Sequence, residues 1–152
     1  MPLQPFDLIC PDIASAEPMS CIVSTPMFGV APGRYVLREF YCTELDCDCR
    51  RVLVHFSRSD DGLNPQILAS VNFGWERPRF YRKWSNDPEM WREMAGATLE
   101  RWSEQGPNAE SFLDLFKISA RQPAFVDGFR RHYAIVKDML ARGKWTPTSY
   151  DF

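Results

Sequence analysis

Three cysteines, Cys42, Cys47 and Cys49, fall within eight consecutive positions of the segment YCTELDCDCRR. Thiolate is a preferred ligand of zinc, which in structural sites takes four donors in a tetrahedron. Cys47 and Cys49 flank one residue, and the step from Cys42 to Cys47 is long enough for the chain to fold back. Three sulfurs can therefore converge from one loop at little ordering cost. The spacing differs from the paired CxxC pattern. An iron–sulfur centre would need a fourth cysteine brought from a distance, so zinc is the metal expected. Three thiolates around Zn²⁺ leave a charge of about -1, which Arg50 and Arg51 follow closely enough to offset. Asp46 and Asp48 are expected to face solvent, since zinc has softer donors beside them.

The fourth ligand is open among His132, Cys10, Cys21 and His55. His132 is the favoured candidate. It sits on an apolar helical stripe between Phe129 and Val136, where an imidazole without a partner is costly. A metal would satisfy it and pin the C-terminal half to the cysteine loop. The expected set is thus Cys42, Cys47, Cys49 and His132. The bland alternative is a core histidine hydrogen-bonded to the chain itself.

Catalytic patterns are missing. There is no HExxH, no HxE…PCxxC, no GxSxG and no phosphate-cradling glycine run. Three thiolates also weaken a metal as a Lewis acid. A zinc-stabilised, non-catalytic interaction module is the function expected, its partner unidentified, with a protein as one candidate. One alternative is a metal-dependent enzyme with its site between sheet and helices. Another uses the segment WERPRFYRKW, where Arg77, Arg79, Arg82 and Lys83 lie among Trp75, Phe80, Tyr81 and Trp84. Cations on phosphates and rings on bases would suit single-stranded nucleic acid or a phosphorylated ligand. The overall charge of -2 counts against it, although basic groups are concentrated after residue 74. In the competing reading, the rings pack inward and the cations stay in water.

The elements that would position these groups can be read from periodicity. Residues 34–41 and 50–57 alternate as strands, and a third strand is expected at 66–73. In 34–41, Tyr35, Leu37 and Tyr41 share one face, which Glu39 interrupts. The cysteine loop would join the first two strands as a hairpin. Asp87 and Pro88 open a helix carrying Trp91, Met94, Thr98 and Trp102, ended by Gly106. Further helices are expected from Asn108 and over 123–141, with Gly143 and Pro147 marking the tail. Strands first and helices after predict an α+β fold, a small antiparallel sheet of about three strands against about three helices. Residues 1–33 hold six prolines and are expected to be mostly irregular, with a short strand near Cys21 to Val23.

The 152 residues, 45% hydrophobic and 14% aromatic, suit one domain with one core. No apolar run is of membrane-spanning length, and no secretion signal is read at the N-terminus. Five cysteines, an odd number crowded into one loop, suit a reduced, cytoplasmic protein better than a disulfide scaffold.

Overall fold

Alternating Val, Leu and aromatic residues make the two longest strands of the sheet. The computed structural model describes residues 2–145. In chain order its elements are β1 (Leu3–Pro5), α1 (Phe6–Ile9), α2 (Pro11–Ala16), β2 (Ser20–Val23), β3 (Gly33–Cys42), β4 (Arg51–Arg58) and β5 (Ala69–Gly74). A 3₁₀ helix (Pro78–Trp84) follows, then α3 (Pro88–Met94), β6 (Gly96–Leu99), α4 (Ala109–Ser119) and α5 (Pro123–Ala141). The fold is α+β, a multi-strand antiparallel sheet packed against several helices.

The sheet runs β1-β3-β4-β5-β6, with β2 also on β3. β1 pairs with the C-terminal end of β3 and β2 with its N-terminal end, so both cover the same edge. The expected hairpin of β3 and β4 is present, with Leu37 opposite Phe56 and Glu39 opposite Val54. One face of the sheet presents Leu37, Val52, Val54, Phe56, Val71 and Phe73, all buried. α4 and α5 cover this face with rings. Phe112 meets Phe56, Phe116 meets Phe73, and Phe116 stacks on Phe129 at 5.9 Å. Such aromatic pairs add about 0.5–1.5 kcal/mol each beyond the area they bury.

Six strands replace the three expected, for two reasons. The proline-rich segment is more regular than its composition suggests. Its prolines sit at helix and strand boundaries, leaving β1, α1, α2 and β2 between them. The helix opened by Asp87 is also shorter than its spacing implies. The Asp87 carboxylate does accept the Glu89 N–H at 3.0 Å, but the helix stops at Met94. Gly96 then takes a left-handed φ of +78°, and the chain pairs with the open edge of β5. Ala97 and Leu99 fit that edge in strand register, and sheet pairing overrides the helical spacing. α5 has the expected bounds of 123–141. The tail around Pro147 lies outside the described residues. No helix of the described residues is long and apolar enough to cross a membrane.

Gly74 is a packing requirement at the end of β5. A Cβ there would lie 2.1 Å from the Met94 carbonyl oxygen and 2.6 Å from the Tyr81 hydroxyl. The backbone carbonyl cannot swing aside without moving α3. Gly74→Ala is expected to cost about 3 kcal/mol, the upper range for overpacking. Urea denaturation checks this, and a cost under about 1 kcal/mol would contradict it.

Candidate metal centre

The β3–β4 connection places one cysteine at the end of a strand and two just before the next. Cys42 is the last residue of β3, and a turn closes from the Cys47 N–H to the Glu44 carbonyl. Arg50 adopts a left-handed φ of +48°, a conformation that costs a non-glycine residue about 1–2 kcal/mol. It re-aims the chain from Cys49 into β4. Its side chain is held while it does so: the Nη2 pairs with Asp48 at 2.9 Å and the guanidinium lies 4.5 Å from the centre of the Phe80 ring.

The three sulfurs converge, all within 4.8 Å of one another. A tetrahedral zinc with bonds of ~2.3 Å sets its sulfurs about 3.8 Å apart. A contraction of that size is within reach of side-chain rotation. Cys42 and Cys49 are buried and Cys47 is half-buried, so the loop offers a metal one partly open side. All five cysteines are free, with no disulfide among the described residues.

The protons on the three sulfurs are shared unequally. The Cys49 thiol donates to Cys42, and against the cost of burial this holds Cys42 down at about 5, helped by the Glu44 backbone N–H and Lys137. Cys49 is pushed up, chiefly because it is that donor, and burial adds to it. Burial raises Cys47, with the neighbouring Cys42 charge adding. Near neutral pH the group is one thiolate stabilised by two thiols. A metal that needs three thiolates must then displace about two protons. Zinc added at pH 7 in weak buffer is expected to release about two protons per ion bound, read with a pH indicator. Release of none would show that the thiols are not the ligands.

His132 is not in this group. It is buried, at 1% side-chain exposure, and both ring nitrogens face carboxylates. Nδ1 is 2.7 Å from Glu39 Oε1, and Nε2 is 3.3 Å from Glu17 Oε1. Phe6 stacks on the ring at 4.3 Å. The helix that carries His132 does reach the cysteine loop, through its neighbours. The Tyr133 hydroxyl donates to Asp48 at 3.0 Å, and the Lys137 ammonium donates to the Glu44 carbonyl at 2.8 Å. Tyr133 and Lys137 position the loop, a role the sequence did not assign to them. Their helical spacing of four from one another was the available signal. Asp48 is exposed, as expected, yet it also ties the loop to α5.

The other candidates are elsewhere. The Cys10 thiol lies 2.9 Å from Met139 Sδ, and Cys21 Sγ lies 3.5 Å from Ser119 Oγ. His55 stands mid-strand on β4 against the Phe40 ring. Its Nε2 is buried with no hydrogen-bond partner among the described residues, and burial lowers its pKa, with Arg38 adding to the shift.

The basic–aromatic segment folds onto itself. Tyr81 is buried, and its hydroxyl donates to the Arg50 carbonyl at 3.0 Å. Lys83 covers the Phe80 and Trp84 rings, and Arg82 covers Trp91. Arg77 and Arg79 are exposed.

No family model matches the chain, and no significantly similar curated protein or solved structure was found.

Proposed function

We propose that Cys42, Cys47 and Cys49 hold a structural zinc ion, and that the domain works as a binding module for another protein. The observation that carries the metal reading is the convergence of three sulfurs within 4.8 Å. The loop bearing them is fastened from outside by Tyr133, Lys137 and Phe80. A zinc there would lock the β3–β4 connection against α5. His132 would have to leave both of its carboxylates to become the fourth ligand, so we assign the fourth position to another donor, reached from the half-buried Cys47 side. A reducing, cytoplasmic setting would keep the thiolates available. Large apolar side chains that stand in water, Leu63, Trp102 and Ile22 among them, support a protein partner over a nucleic-acid one. Of the rings of 75–84, Phe80 and Trp84 lie under the chain's own cations, Tyr81 is buried and Trp75 packs edge-on to Tyr133.

Elemental analysis tests the metal. About one zinc per chain is expected from the four-donor stoichiometry of a single site. Protein lacking stoichiometric metal, with stability indifferent to a chelator, would end the reading.

A further inference from the structure

Arg51 lies on the face of β4 turned away from α4 and α5, in the same row as Leu53 and His55. Two cavities on this face share Arg51, Asn72 and Glu100 as a common wall. One, of about 240 Å³, also touches Cys49 and Leu53. The other, of about 230 Å³, has Trp102 at its rim. Each is smaller than the ~300–1,000 Å³ typical of drug-sized ligands, a size that suits a small polar molecule.

The three shared residues are held in place. Asn72 sits on β5, opposite Leu53 on one side and Thr98 on the other. Its side-chain amide donates to Glu100 Oε2, and the Trp102 backbone N–H donates to Glu100 Oε1 at 3.2 Å. Arg51 is half-buried, and its Nε–H donates to the Met94 carbonyl at 3.2 Å. Among the described residues, no carboxylate forms an ion pair with it. Its neighbour Arg50 has two, Asp48 and Glu76. A cation drawn out of water without a counter-ion is costly, and the guanidinium fork matches carboxylate or phosphate oxygens. Arg51 could instead serve to balance thiolate charge at Cys49. Lys137, however, already acts on Cys42 and Cys47, and charge balance does not account for the cavities.

We propose that the cleft walled by Arg51, Asn72 and Glu100 binds a small organic anion, its carboxylate or phosphate on Arg51 and its hydroxyl or amine donating to Glu100. The cleft borders the zinc loop at Cys49, but the proposal does not require a bound metal. Inorganic phosphate, glycerol 3-phosphate and glutamate are the probes, and together they separate phosphate from carboxylate recognition. Trp102, 94% exposed, reports occupancy by fluorescence, with Trp102→Phe as the control and backbone amide shifts as a second readout. At least one probe is expected to bind saturably. Arg51→Gln should weaken it at least about tenfold, the loss of a charged hydrogen bond. Arg77→Gln, which alters an exposed arginine elsewhere, should leave it unchanged. If Arg51→Gln does not fold, Arg51→Lys keeps the charge, removes the fork and is expected to weaken binding in the same sense. No saturable binding of any probe, or equal affinity in the Arg51 variant, overturns the proposal. Metal content is measured alongside. An Arg51 variant that keeps its zinc and loses the anion supports the site. One that loses its zinc and keeps the anion returns Arg51 to charge balance and overturns it.

Discussion

Replacing Cys42 or Cys49 with serine is expected to remove the bound metal and lower the melting temperature by about 10 °C. The size follows from mass action. Metal present at 1,000 times its dissociation constant stabilises the folded state by about 4 kcal/mol. For a chain of this length each kcal/mol moves the midpoint by about 2–4 °C. Cys42 is expected to be the more sensitive position, because it is fully buried at the end of β3 and accepts from Cys49. Cys10→Ser serves as the control, since Cys10 lies against Met139 and outside the cluster. Differential scanning calorimetry with and without chelator reads the effect. Chelator should lower the wild-type midpoint to near that of the variants and leave the variants themselves unmoved. A wild type that melts at the same temperature with and without chelator would exclude a stabilising metal.

His132→Ala should be comparably severe for a different reason. It would leave the Glu39 side chain, 5% exposed, with the Tyr41 hydroxyl as its hydrogen-bond partner inside the core. Breaking one half of a buried pair costs about 3–5 kcal/mol. Replacing both halves, Glu39→Leu with His132→Phe, should recover part of that loss, because no buried charge is then stranded. The pair also predicts a pH dependence. Burial by itself pushes the His132 pKa down, but Glu39 and then Glu17 outweigh it and the net direction is up. A histidine raised in the folded state stabilises fully below its unfolded value of ~6.5. That stabilisation fades as pH rises through the higher folded value. Urea midpoints should therefore fall above about pH 6.5 in the wild type relative to His132→Gln. The difference isolates His132 from Cys42, whose lowered pKa acts in the opposite sense and loses stability as pH falls toward 5. Glu17, held down at about 2 chiefly by the hydrogen bond from Arg131, adds a separate loss between about pH 4.5 and 2. A flat difference between wild type and His132→Gln above pH 6.5 would refute the pairing.

The sequence by itself determined the cysteine loop, the hairpin that carries it and the long helix opposite. These depend on local signals: three thiols in eight positions, alternation in 34–41 and 50–57, and a helical stripe over 123–141. It also marked two residues that broke their own patterns, Glu39 on the apolar face of a strand and His132 on the apolar stripe of a helix. It could not say that the two belong together. They are 93 positions apart and meet at 2.7 Å only because α5 crosses the inner face of β3. Each satisfies the polar group that the other would have stranded. The same limit applies to the strands. Residues 96–99 have helical spacing with their neighbours, and only the open edge of β5 makes them a strand. Arg51, Asn72 and Glu100 come from three strands or their ends and share no sequence pattern, so their cleft exists only in the folded sheet. Thiol spacing is a property of one loop, whereas ligand sets, buried pairs and cavities are properties of what the chain packs against.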